Sequence, residues 1–177
     1  MSESTLPLNS FDSWADNAFD RIRNRSLPDR LFYGVTEAAN HSLLWHAIAW
    51  LRGFASPAGR RRAARISLIL MAESVVVNGP IKSLFRRPRP VPVGPRPHRL
   101  RIPQTTSFPS GHATSALCAA ALLSKDSRIA PAYYGLACVV ASSRVYVRIH
   151  HASDIVVGAA IGAAVGAFTR RLLDRPR

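Results

Sequence analysis

The sequence predicts an all-α integral membrane bundle with about five spanning helices, preceded by an amphipathic helix lying in the membrane interface. Three observations lead there. The chain is 47% hydrophobic, and its apolar residues gather in blocks. Basic residues fall between the blocks, as they do in the loops of helical membrane proteins. At 177 residues the chain holds one domain and no second independent core. A formal net charge of +14 would point to nucleic acid or an anionic surface in a soluble chain. No zinc spacing, recognition-helix pattern or aromatic stacking motif accompanies the charge, so nucleic acid is not an expected partner and the lipid bilayer is.

The elements follow in order. Residues 1–9 read as disordered, and Asn9-Ser10 reads as the cap of a helix from about Phe11 to Arg25. Phe11, Trp14, Ala15, Ala18, Phe19 and Ile22 share one face, opposite Asp12, Asp16, Asp20 and the arginines, which suits an interfacial helix with Trp14 at the headgroups or, as the alternative, an amphipathic helix folded onto the rest. Residues 1–27 thus form a tail and interfacial helix, and residues 28–177 the membrane domain. No basic stretch followed by an apolar core opens the chain, so no cleavable signal peptide is expected. The first spanning candidate runs from about Asp29 to Phe54, with Glu37, Asn40 and His41 on one face, lining either a polar cavity or the interface. A second runs from about Ala64 to Leu84. It carries Glu73 near its middle, where a structural hydrogen bond is expected. The proline- and arginine-rich stretch Pro88 to Pro103 is an extended connection. Three apolar blocks close the chain, about His112–Ser124, Ile129–Val147 and Ser153–Leu173, the first short for a crossing of about 20 residues. Cys118 and Cys138 lie inside apolar stretches as small hydrophobes.

Chemistry-bearing residues cluster at the ends of these blocks. Lys82 closes one helix, Arg89-Pro90 follows, Pro109-Ser110-Gly111-His112 opens the next, and Ser143-Arg144, His150 and Asp154 span the turn between the last two. Such alternation puts all three groups on one side of the membrane. A lysine and two arginines suit a phosphate dianion, because a point charge and two flat forks cover its oxygens. Ser110 and Gly111 start a helix whose free N–H groups and dipole favour an anion. His150 and Asp154 are one helical turn apart, so the carboxylate can fix the ring's tautomer and leave the other nitrogen to attack. His112 remains as the general acid. A metal held by His112, His150, His151 and Asp154 would be repelled by the three cations, so neither metal nor other cofactor is expected.

Lys82-(six residues)-Arg89-Pro90, Pro109-Ser110-Gly111-His112 and Ser143-Arg144-(five residues)-His150-(three residues)-Asp154 resemble the tripartite signature of the type 2 phosphatidic acid phosphatase superfamily. The resemblance implies a metal-independent membrane lipid phosphatase. Its counterparts make His150 the nucleophile that becomes a phosphohistidine and His112 the acid, with Lys82, Arg89, Ser110 and Arg144 binding phosphate. The chain's small size, Ala39 to Trp45 and Arg86 to Pro90 are similar to compact bacterial members associated with cell-wall arabinan synthesis. That likeness implies decaprenylphosphoryl-5-phosphoribose as substrate; polyprenyl pyrophosphate, phosphatidylglycerophosphate and phosphatidic acid stay open. Vanadate-dependent haloperoxidases share the motif, but their soluble bundles are much larger. Arg148, Glu37 and His41 are candidate substrate contacts, Arg148 because helical spacing would put it on the face of Arg144, with an interfacial anchor as its alternative. Gly158, Gly162 and Gly166 form a ridge for close helix approach, either internal or between two copies of the chain. Arg52, Arg60 to Arg62, Arg65, Lys125, Arg128 and the C-terminal arginines lie opposite the site and favour a cytoplasmic location for that side, which puts the site on the outer face of the inner membrane.

Overall fold

The computed structural model describes residues 7–125 and 127–173, all helix and connection, without strand. Seven α-helices run α1 Pro7–Asp20, α2 Ser26–Ala38, α3 Leu43–Gly53, α4 Pro57–Val76, α5 Gly111–Leu123, α6 Ala130–Tyr146 and α7 Ala152–Leu173. A 3₁₀ turn, Asn40–Ser42, joins α2 to α3, and a π segment, Val77–Ile81, continues α4. The expected disorder of residues 1–6 lies outside the described residues. Helix α1 begins at Pro7, ahead of the expected cap, since proline's fixed φ and missing N–H are harmless in a first turn.

Helix α5 is the axis of the molecule. Its residues are small, and all but His112 and Leu117 are buried. Helix α7 presses its glycine ridge on α5: a Cβ on Gly158 would lie 2.5 Å from Ser110 O, one on Gly162 would overlap Thr114 O, and one on Gly166 would sit 2.7 Å from the Cβ of Ala121. The ridge is therefore occupied inside the molecule, and the surface considered for a second copy of the chain is not free. Burial also explains why α5 can be short: its neighbours enclose it, so it need not match the bilayer itself.

Among the described residues, two helices are long and apolar enough to cross a membrane, Pro57–Ile81 with 25 residues and Ala152–Arg171 with 20. At 1.5 Å per residue they reach about 38 and 30 Å, against a hydrocarbon core of about 30 Å. Their outer faces are apolar, with Leu68, Met71, Val75, Val156 and Phe168 exposed. Helix α4 starts cleanly because the Ser56 hydroxyl accepts from Gly59 N at 3.0 Å and Pro57 occupies the first turn. Glu73, in the last turn of α4, accepts from the Ser115 hydroxyl at 2.7 Å, the structural bond expected of it.

Two expectations are corrected. The single helix over 29–54 is broken at its centre, where His41 and Ser42 take φ values of 53° and 60°. Left-handed conformations cost non-glycine residues about 1–2 kcal/mol each, so contacts made by the break must hold it. The acidic face of α1 is docked on the bundle, with Asp12 buried and Asp16 and Asp20 ion-paired at its edge. Asp12 accepts from Ser153 N at 2.8 Å and from Arg87 Nη2 at 2.5 Å, while Asp16 and Asp20 pair with Arg23 and Arg148. The helix is pinned by its carboxylates because Arg87, Arg148 of the α6–α7 turn and the Ser153 N–H lie beneath it. Phe11 and Trp14 stack on each other and stay exposed, while Ala15 is buried.

Candidate active site

Five segments meet at one end of the bundle: the end of the π segment, the extended stretch 88–110, the start of α5, the α6–α7 turn and the break after α2. Between them lies a cavity of about 580 Å³, lined by Asn40, His41, Asn78, Lys82, Arg101, Gly111, His112 and His150 among others.

Lys82 reaches this point because Pro80 cannot donate in the helix ladder and α4 widens into a π turn just before it. The ammonium is 4% exposed and lies 3.3 Å from Thr106 O and 3.4 Å from Thr105 Oγ1. Burial, then the charges of Arg89 and Arg144, pull its pKa down to about 8, with Asp154 opposing. Arg89 is fastened by Thr105 O at 3.0 Å, Thr106 O at 3.1 Å and Ile149 O at 2.8 Å, and burial lowers its pKa too. Arg144 is fully buried. Its Nη1 donates to Thr36 Oγ1 at 2.5 Å, but Nε and Nη2 have no hydrogen-bond partner among the described residues. A buried guanidinium with two unpaired nitrogens is equipped to donate to an anion.

His150 sits in the turn after α6, 2% exposed. Arg89 Nη1 approaches its Nε2 at 3.3 Å. Guanidinium only donates, so Nε2 is the ring nitrogen with the lone pair and Nδ1 carries the proton. Nδ1 faces Asp154 Oδ2 at 3.5 Å, too long for a tight hydrogen bond and with no closer partner. Burial is the largest influence on the imidazole; with Arg144, Arg89 and Lys82 nearby it holds the pKa at about 3 despite Asp154, so the ring is neutral near pH 7. Asp154, fully buried, is itself held from three sides. His151 N donates to Oδ2 at 2.9 Å, the Ser107 hydroxyl donates to the same oxygen, and Arg87 Nη1 donates to Oδ1 at 2.7 Å.

His112 stands on the first turn of α5, with Nε2 at 3.1 Å from Asn40 Oδ1. Ser110 caps that helix: its Oγ accepts from Ala113 N at 3.4 Å, and its backbone N donates to Asp154 O at 3.1 Å. The hydroxyl expected to bind phosphate is thus engaged in the cap and does not line the cavity. Gly111 does line it, and a Cβ there would come within 2.7 Å of Asn78 Oδ1.

The candidate contacts divide. His41 lines the cavity and touches Arg101. Glu37 lies behind the lining, bonded to Asn40 Nδ2 at 3.0 Å and Arg101 N at 3.0 Å. Arg148 is elsewhere. Helix α6 ends at Tyr146 and Arg148 takes φ 52°, which swings its side chain onto Asp16 and Asp20 and away from Arg144. His151 does not line the cavity; its Nε2 lies 3.3 Å from Pro88 O. Arg87 had no assigned role from its sequence, although a second Arg-Pro pair just before Arg89-Pro90 was a legible signal. Asn78 carried no signal. Among the described residues no three His, Cys, Asp or Glu side chains converge as metal ligands.

Comparison with known proteins finds related sequences and folds. The family model of the PAP2 superfamily matches residues 63–177. The decaprenylphosphoryl-5-phosphoribose phosphatase of Mycobacterium tuberculosis is 34% identical over 142 residues, covering 76% of this chain and 75% of its own. The protein of that name from Mycolicibacterium smegmatis is 37% identical over 132 residues, covering 70% and 67%. Two solved structures share the fold with a TM-score of 0.73. One is the transmembrane PAP2-type phosphatidylglycerolphosphate phosphatase of Bacillus subtilis, at 20% identity, covering 98% of this chain and 90% of that one. The other is Aquifex aeolicus LpxE, at 25% identity, covering 97% and 99%.

Proposed function

Since the chain belongs to the PAP2 superfamily and is a membrane lipid phosphatase, a phosphoric monoester hydrolase, we propose that it removes the 5-phosphate of decaprenylphosphoryl-5-phosphoribose through a phosphohistidine on His150. The observation that carries the mechanism is the pairing of His150 between Arg89 at Nε2 and Asp154 at Nδ1, which leaves a neutral ring with its lone pair on Nε2. Nε2 attacks phosphorus as the bond to the ribose oxygen breaks, and His112 gives its proton to that oxygen. Water then attacks the phosphohistidine, His112 takes back a proton, and inorganic phosphate leaves. Lys82, Arg89 and Arg144 neutralise the charge on the transferring phosphoryl oxygens, with the idle Nε and Nη2 of Arg144 supplying two of the donors. Gly111 lets the first N–H groups of α5 approach the same anion.

The substrate reading rests on the names of the mycobacterial relatives and on a cavity roomy enough for a sugar phosphate, with a polar wall from Asn40, Asn78 and Arg101. We also read the bundle as multi-pass in the inner membrane, with about five crossings: α2 and α3 jointly forming one, and α5 enclosed. Arg52 and Arg62 bond Leu123 O and Leu122 O at the end of α5 away from His112. That basic end supports a cytoplasmic location for it and an outer location for the site. Phosphate release from a purified-enzyme panel tests the substrate. Turnover of decaprenylphosphoryl-5-phosphoribose is expected to lead, and rapid turnover of phosphatidic acid or polyprenyl pyrophosphate without it would overturn the choice. A C-terminal reporter active only on the outside would reverse the orientation.

A further inference from the structure

The helix expected over 29–54 breaks where it meets His112. At the break His41 and Ser42 are both left-handed, and no glycine or proline is present to ease the conformation. The backbone excursion sets Asn40 between two groups. Its Nδ2 donates to Glu37 Oε2 at 3.0 Å, and its Oδ1 lies 3.1 Å from Nε2 of His112. An ionised carboxylate only accepts, so the bond to Glu37 fixes which end of the amide turns toward the histidine. That end is an oxygen, and an oxygen there requires a proton on His112 Nε2. Glu37 is itself steadied, its Oε1 accepting from Arg101 N at 3.0 Å.

We propose that Asn40, backed by Glu37, is a positioning residue for His112: it holds the Nε2 proton, fixes the orientation of the ring, and leaves Nδ1 as the nitrogen that protonates the departing oxygen. The inference rests on His112 being the general acid. Lys82, Arg89 and Arg144 gather at this end of the bundle, and the carboxylate at the far end of the hydrogen-bond chain offsets part of their charge beside His112. Each histidine then turns one nitrogen toward a carboxylate, His150 facing Asp154 at 3.5 Å and His112 reaching Glu37 through an amide. Glu37, read from the sequence as a substrate contact, acts through Asn40 instead.

A leaving group that departs unaided does not need the acid, so two substrates separate this role from a structural one. Dodecyl phosphate releases a poor leaving group, and p-nitrophenyl phosphate a good one. Asn40→Ala is expected to lower kcat/KM for dodecyl phosphate by about ten- to hundred-fold, and to lower that for p-nitrophenyl phosphate by a far smaller factor. His112→Ala should show the same preference more strongly. The double variant Glu37→Gln/Asn40→Asp restores a donor at 37 and keeps an acceptor on His112, and should recover most of the loss on dodecyl phosphate. Equal losses on the two substrates in Asn40→Ala, or no recovery in the double variant, overturn the proposal. If His112→Ala discriminates and Asn40→Ala does not, the positioning role alone fails. If His112→Ala shows no discrimination, the assignment of the acid fails and the positioning role with it.

Discussion

Arg87→Met removes a guanidinium that joins three parts of the molecule while keeping most of the side chain's length. Arg87 donates to Asp154 Oδ1 at 2.7 Å, to Ser153 Oγ at 2.7 Å and to Asp12 Oδ2 at 2.5 Å. Asp154 is fully buried and Asp12 is 8% exposed, so the change strands charge on two carboxylates at once. Removing one partner of a buried pair destabilises by about 3–5 kcal/mol. The Arg87 side chain is 26% exposed, and Asp154 keeps Ser107 and His151 N, so roughly 2–3 kcal/mol is the expected net loss. Activity should fall further than stability implies. A carboxylate no longer anchored at Oδ1 is free to turn away from His150 Nδ1, and misplacement of about 1 Å costs on the order of a hundredfold in kcat. Asp12→Asn is the comparator, since it loosens α1 but leaves the Arg87–Asp154 pair. It should lower the thermal midpoint with a much smaller effect on kcat. Thermal unfolding in detergent and steady-state phosphate release, measured on both variants, read the two effects. Arg87→Met with kcat within about threefold of wild type would refute the claim that Asp154 is oriented from this side.

Other perturbations probe separate parts of the account. The Lys82 ammonium titrates near pH 8 in the folded chain and near 10.5 when exposed, so its contribution to phosphate binding should fade, with KM rising, as pH passes about 8. Over the interval from about 8 to 10.5 the folded state has shed a proton that the unfolded chain still binds, so the unliganded protein should gain stability from this group as pH rises, which denaturant titrations at several pH values can follow. Gly162→Ala places a methyl group against Thr114 O, and separating α5 from α7 to admit it should destabilise by about 1–3 kcal/mol in equilibrium unfolding. Arg148→Ala removes ion pairs to α1 but nothing in the cavity, so kcat/KM should stay within about threefold of wild type while the thermal midpoint falls slightly.

Local signals made the second half of the chain legible. Ser110 caps α5, and helices α5, α6 and α7 begin and end within two residues of the positions their apolar blocks suggest. The grouping of Lys82, His112, His150 and Asp154 at one end followed from the alternation of helices, which the contacts reproduce. What was hidden depended on tertiary contacts. Ala39-Asn40-His41-Ser42 carries no glycine or proline, so nothing local marks a break that Asn40 and Glu37 support through His112 and Arg101. The docking of the acidic stripe of α1 had no local signal, because Arg148 and Ser153, which it meets, are more than a hundred residues away in sequence. Arg148 was misplaced by carrying helical spacing one turn past the end of α6. Ser110 was read as a phosphate ligand, although its place before a helix suits a cap equally well.

The central claim is that His150 Nε2 accepts the phosphoryl group. Rapid acid-free quenching of the enzyme with a radiolabelled lipid phosphate, followed by peptide mass spectrometry, measures it directly. The account predicts acid-labile, base-stable label on the peptide carrying His150, bonded through Nε2 and absent from His150→Ala. Label on another residue, or undiminished phosphate release by His150→Ala, would contradict it.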